Sequence, residues 1–273
     1  MGANNININS VPKLEAKEVS FEYFSPRTGK TTPALDGINL KIYEGEFVSI
    51  VGPSGCGKTT FLNLVDGQLK LTNGKIYLNR HLIAGSNNDS AMVFQSPSLL
   101  PWRTVFGNIS YGLEIRKVPV SLREDRVNHF IKIVGLKGFE RYYPRELSGG
   151  MQQRVNLGRA LACDPAILLM DEPFASLDAQ TREFMQLELL KIWQKSKKTV
   201  LFITHQINEA LFLSDRVVVF GARPAKIREV LQVPIPRPRD LNVKRTPEFL
   251  KLEGRIWAII EEVAKEQGLL LVD

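Results

Sequence analysis

One segment constrains this chain more than any other: Phe47-Val48-Ser49-Ile50-Val51 followed at once by Gly52-Pro53-Ser54-Gly55-Cys56-Gly57-Lys58-Thr59. A short run fit for a buried strand enters GxxxxGK[ST], and Thr59-Thr60-Phe61-Leu62-Asn63-Leu64-Val65 can open a helix behind it. The glycines let the backbone curl until its N–H groups point into one concavity. The helix N-terminus adds positive potential there, so the loop is built to take phosphate. Lys58 is placed to reach β- and γ-phosphates and the Thr59 hydroxyl to ligand Mg²⁺. Four specified positions arise by chance about once in a hundred chains of this size. Residues Gly52 through Thr60 are therefore expected to hold a nucleotide, with Cys56 a small filler in the loop.

The surrounding pattern supports a strand–loop–helix unit inside a larger α/β sheet. Ile167–Met170, Thr199–Ile203 and Arg216–Phe220 read as further buried strands, and Gln152–Ala162 and Thr181–Trp193 as helices between them. From Ala16 to about Met92, short β-branched and aromatic runs are broken by turn signals at 28–33, 44–45, 73–74 and 86–89, which predicts a strand-rich layer. Between Ser96 and Gly150 the period becomes helical, with Leu122, Val127, Phe130, Ile131 and Val134 forming one stripe. Thr246 to Gln267 predicts a terminal helix with a broad apolar face, after the Pro/Arg-rich turn at 234–240.

Composition excludes several classes. Two cysteines without CxxC or Cys/His spacing suggest neither a disulfide framework nor a zinc site. No apolar run approaches the ~20 residues of a membrane span, and the opening residues lack the basic and apolar segments of a secretory signal. The net charge of +7 is spread along the chain without a Lys/Arg run longer than two, so no nucleic-acid partner is expected.

A second constellation lies at the end of Ile167-Leu168-Leu169-Met170-Asp171-Glu172, an apolar strand that delivers two carboxylates. Asp171 suits a Mg²⁺ ligand of the Walker B kind, and Glu172 is placed to orient or deprotonate an attacking water. Leu147-Ser148-Gly149-Gly150-Met151-Gln152-Gln153-Arg154 then narrows the class, because it resembles the signature motif of ATP-binding cassette (ABC) proteins. Further segments match in that family's order: Gln95 in Val93-Phe94-Gln95, Ser176-Leu177-Asp178, and His205 in Ile203-Thr204-His205. Together the resemblance covers residues 16–222.

The resemblance implies an α/β fold: a P-loop NTPase (RecA-like) core with an antiparallel β layer and an inserted α-helical subdomain. It implies a nucleotide-binding core over 16–95 and 151–222, a helical subdomain over 96–150, a polar segment over 1–15 and a short extension over 223–273. ATP and Mg²⁺ are the implied cofactors. Lys58, Gln95, Glu172 and His205 would serve hydrolysis, and Thr59, Gln95 and Asp171 would hold the metal. Tyr23 would stack on adenine, with Phe21 and Phe24 as alternatives at the same place. Ser148, Gly149 and Gly150 would face the γ-phosphate held by a second copy, and Asp178 would couple the two sites. The expected assembly is therefore a homodimer around two nucleotides, on the cytoplasmic face of the membrane with an integral-membrane permease and a solute-binding protein.

Leu99-Leu100-Pro101-Trp102, Met170-Asp171-Glu172-Pro173-Phe174 and Phe212-Leu213-Ser214-Asp215-Arg216-Val217, with Arg223-Pro224 beyond, look like ATP-binding subunits of the nitrate/sulfonate/taurine importer group. Leu99, Leu100 and Trp102 read either as a permease socket or as packing of the insertion's own core. Ser176 and Thr60 depart from the commoner residues of the family but keep size and hydrogen-bonding sense. The tail of about fifty residues is too short for a separate regulatory β-domain. An exporter ATPase and a soluble ABC protein of translation or DNA repair are the alternatives; the latter usually carries two cassettes or a long coiled-coil insertion.

Overall fold

The computed structural model describes residues 11–267. Residues 1–10 of the expected N-terminal segment and 268–273 of the C-terminal extension lie outside the described residues. In chain order the strands and α-helices are β1 (Leu14–Ser25), β2 (Lys30–Ile42), β3 (Phe47–Val51), α1 (Lys58–Val65), β4 (Asn73–Leu78), β5 (His81–Leu82), β6 (Ser90–Val93), α2 (Val105–Ile115) and α3 (Val120–Ile133). They continue with α4 (Gly149–Ala162), β7 (Ile167–Asp171), α5 (Ala179–Ser196), β8 (Thr199–Ile203), α6 (Ile207–Leu213), β9 (Arg216–Phe220), β10 (Ile227–Gln232) and α7 (Pro247–Glu266). Among the described residues two compact units emerge, one from 11–87 with 199–267 and the other from 88–198.

The first unit carries two sheets. β2, β1, β4 and β5 form an antiparallel sheet in that order, the strand-rich layer expected from the sequence. Its first hairpin is tighter than the turn signal at 28–33 implies, because Lys30–Pro33 pair with Glu22–Ser25 and leave only residues 26–29 to turn. Pro33 is tolerated there because β2 is an edge strand, where a missing N–H costs no ladder bond. In the other sheet β3 runs parallel to β8 on one side and β9 on the other, and β10 closes antiparallel on β9. All of β3 and β8 and four residues of β9 are buried, which is why these strands read as largely apolar runs. β10 was not legible as a strand: it is a half-exposed edge of mixed charge, IREVLQ.

Two polar links lock this apolar stack. Glu46, 3% exposed, pairs with Arg216 through both carboxylate oxygens and so ties the head of β3 to that of β9. Asp215 accepts from the Phe47 N–H at 2.9 Å and from Arg237 Nε at 2.9 Å. The terminal helix forms where its period predicts, capped by the Thr246 hydroxyl, yet its buried stripe is narrow: Phe249, Ile256 and Val263, seven residues apart. Leu250 and Trp257 of the same helix are exposed, so the apolar face is narrower than its period predicts.

The second unit is built of β6 paired parallel to β7, with α2, α3, α4 and α5. Helix α2 packs on α3 and α4 through Val105, Ile109 and Leu113. Gly158 of α4 sits where a Cβ would meet Ile109 at 3.1 Å, so the two helices approach closely because that position has no side chain. The predicted stripe of α3 buries Val127 and Ile131 and stops at Val134-Gly135, where Gly135 takes φ 70°.

Candidate functional site

In the first unit, the loop between β3 and α1 is held by its own geometry. Gly57 takes φ 126°, and a Cβ there would lie 2.8 Å from the Ala34 carbonyl oxygen and 2.9 Å from Leu35 Cδ2. Only glycine satisfies both the backbone angle and the closeness of β2. Lys58 is 6% exposed; its ammonium donates to the Gly52 and Pro53 carbonyls at 2.9 Å each, folding the side chain back over the loop. Burial pushes the Cys56 thiol up despite the nearby Lys58 cation, so this cysteine is a packed filler rather than a reactive thiol.

The aromatic alternatives separate clearly. Phe21 is buried at 8% exposure, Phe24 is 63% exposed, and Tyr23 is 41% exposed with its hydroxyl 3.0 Å from Thr60 Oγ1. Tyr23 is thereby tied to the first turn of α1, with Phe21 edge-on at 4.8 Å and the Arg223 guanidinium 5.8 Å from its ring centroid. His205 lies exposed just past β8, immediately before Gln206, the N-cap of α6. Its neighbour Thr204 is buried, with its hydroxyl donating to the Glu209 carboxylate and accepting from the Gln206 N–H at 3.0 Å.

The second unit carries the other group. Asp171 ends β7 and Glu172 follows it with φ 45°, a left-handed backbone that a non-glycine residue adopts at a cost of order 1–3 kcal/mol. Ser148 is the N-cap of α4, accepting from the Met151 N–H at 3.3 Å, and Gly149 and Gly150 form the first turn. This exposed helix end borders a cleft of about 660 Å³ lined by Phe139, Met151, Thr181 and Phe184. Asp178 caps α5, accepting from the Thr181 N–H at 3.0 Å, and that backbone donor holds its carboxyl below the usual carboxylate range.

Gln95 is exposed beyond β6. Sequence reasoning missed what fixes its loop. Gln153 and Asn156 of α4, both buried, donate to the Phe94 carbonyl at 3.4 and 3.3 Å, and Arg159 donates to the Pro97 and Ser98 carbonyls at 2.9 and 3.0 Å. Their spacing of three along one helix face was the available signal. Asn108 was missed as well: fully buried, it accepts from the Leu100 N–H at 2.8 Å and donates to the carbonyls of Leu100, Arg103 and Thr104. The loop it staples presents Trp102 at 70% exposure, whereas Leu99 and Leu100 are half-buried, so of the three residues Trp102 is the one turned to solvent.

A strand–glycine loop–helix on a parallel sheet with a buried lysine defines a P-loop NTPase. Residues 35–175 match the family model described as ABC transporter. An uncharacterized ABC transporter ATP-binding protein of Methanocaldococcus jannaschii is 50% identical over 250 residues, 92% of this chain and 91% of that one. The taurine import ATP-binding protein of Jannaschia sp. is 42% identical over 92% of this chain and 96% of its own, and the nitrate import ATP-binding protein of Synechocystis sp. is 43% identical over 83% and 88%. A solved dimeric post-hydrolysis ATP-binding cassette bound to ADP and phosphate is 32% identical, with TM-score 0.69 over 81% of this chain and 98% of its own. The chain belongs to the ABC transporter family, as an ATP-binding subunit that hydrolyses ATP, and the importer-group resemblance read from Leu99–Trp102 and Phe212–Val217 agrees with these relatives.

Proposed function

We propose that this chain is the motor of an importer for a small oxyanion of the nitrate, sulfonate or taurine kind, and that two copies close on two Mg-ATP to drive a separate permease. Relatives named for taurine and nitrate import support import over export. Among the described residues no helix is long and apolar enough to cross a membrane. Membrane work then requires a permease, reached from the cytoplasmic face, with a solute-binding protein delivering the solute. The core over 16–95 and 151–222 would supply the nucleotide site, and the helical part over 96–150 would meet the permease through the exposed Trp102.

The observation that carries the reading is the head of α4. Ser148 caps a helix whose first turn is the exposed Gly149 and the half-buried Gly150, without side chains of their own to cover it, which is a second anion-binding end besides that of α1. A two-fold pair of copies would give each nucleotide one such end from each copy. In each site Lys58 and the loop amides bind the β- and γ-phosphates, and Tyr23, with Thr60 holding its hydroxyl, stacks on adenine. Glu172 orients and deprotonates the attacking water, His205 steadies the γ-phosphate, Gln95 senses it, and Asp178 couples the two sites.

Mg²⁺ fits the donors present. Thr59 in the first turn of α1, Gln95 and Asp171 at a strand end offer a few oxygens, as suits an ion that takes most of its ligands from phosphate and water, and no cluster of three or more His, Cys, Asp or Glu occurs among the described residues. The ion supplies charge neutralisation on the phosphates. Affinity capture of the tagged chain from detergent-solubilised native membranes tests the proposal. Recovery of a multi-span permease with a solute-binding protein is expected, and recovery of ribosomes, repair factors or no membrane protein contradicts it.

A further inference from the structure

The Pro/Arg-rich segment at 234–240 holds the most unusual cluster outside the nucleotide site. Arg239 is 6% exposed, and its guanidinium is wrapped in main-chain carbonyls. Its Nη1 donates to the carbonyls of Leu211, Phe212 and Ser214 at 3.0, 3.0 and 2.8 Å, and Nε and Nη2 donate to Ile235 at 3.2 and 2.9 Å. Arg237 donates to the Leu213 carbonyl at 2.5 Å and to Asp215. Three consecutive carbonyls at the end of α6, those of Leu211, Phe212 and Leu213, and that of the C-cap Ser214 are thus covered by two cations from the tail. Burial lowers the proton affinity of both arginines, against which the surrounding carbonyls and Asp215 hold their charge.

Such an arrangement does more than end a loop. Helix α6 has seven residues, about 10 Å in length, too short to be stable on its own. Its last carbonyls would otherwise lack partners, and its C-terminal dipole end favours positive charge. At its other end Glu209, 3% exposed, accepts from the Thr204 hydroxyl, and that same hydroxyl accepts from the Gln206 N–H. His205 is the residue between them. The backbone that aims His205 is therefore pinned to α6 by Glu209, and α6 is pinned at its far end by Arg237 and Arg239. Lys244 over the Phe212 ring at 4.9 Å adds a third tail contact to the same helix end.

We infer that Arg239 is a positioning residue for His205, acting through α6, so that the tail segment sets the rate of hydrolysis without touching nucleotide, a role that rests on His205 contacting the γ-phosphate. Because the lever acts on His205 and not on the phosphate-binding loop, its loss should lower kcat and leave nucleotide affinity in place.

The test is a double-mutant cycle on the full chain, with steady-state ATP hydrolysis, ATP affinity and thermal unfolding recorded for Arg239→Met, His205→Ala and the double variant. Expected are a fall of about tenfold or more in kcat for Arg239→Met with KM and Kd for ATP within about twofold, and less than about a twofold further loss when it is added to His205→Ala. Thr204→Val, which cuts the link at the other end of α6, should reproduce the same split and serves where Arg239→Met folds poorly. Should His205→Ala lose activity while the two effects multiply, or KM rise together with the fall in kcat, positioning is overturned and the role of His205 stands. A His205→Ala variant with undiminished kcat would overturn the role of His205 itself, and the inference with it.

Discussion

Lys58 shows how a single residue can be held by the backbone of the loop to which the proposed function gives phosphate. Its ammonium is buried against two backbone carbonyls rather than a carboxylate, so no acidic side chain among the described residues pairs with it. Replacing it by alanine should weaken ATP binding by about tenfold or more, since a hydrogen bond to a charged group contributes about 1.5–3 kcal/mol. Fluorescent-nucleotide titration and ATP turnover would measure this, and undiminished turnover would remove Lys58 from the site. The type and spacing of this residue were legible in GPSGCGKT. What was not legible is which aromatic is tied to α1, because Phe21, Tyr23 and Phe24 are near neighbours on β1, a strand with register shifts, and their burial and the bond from Tyr23 to Thr60 appear only in the fold.

Among elements, those with one strong period were plain in the sequence and those held by polar contacts were not. Strands β3, β8 and β9 form where their largely apolar runs lie, because burial on both faces favours apolar side chains at most positions. The loop before α2 carries no such period; its shape is set by one buried amide, Asn108, bonded to three different residues. Asn108→Ala should leave the Leu100 N–H and several carbonyls without that partner and cost about 1–3 kcal/mol. Urea unfolding would register the loss, and a change within about 0.5 kcal/mol would show that water replaces the amide. The same logic explains why PIPRPRD reads as a mere turn in sequence: arginines usually signal a solvated surface, and here Arg237 and Arg239 turn inward because a short helix needs its carbonyls covered.

For the whole molecule, the proposed assembly rests on two helix N-termini. The loop before α1 and the head of α4 belong to different compact units of one chain, and each is a complete helix N-terminus by its own local geometry. In the proposed pair the γ-phosphate bound by Lys58 of one copy meets Ser148, Gly149 and Gly150 of another, so ATP holds the two copies together and hydrolysis releases them. Glu172, in a left-handed backbone just past β7, is the residue to which the proposed function gives hydrolysis in this cycle. The most direct test is light scattering of the Glu172→Gln variant with and without Mg-ATP. A shared site predicts a mass near 30.8 kDa without nucleotide and about twice that with it. A variant that binds ATP and stays at the single-chain mass would contradict the shared site.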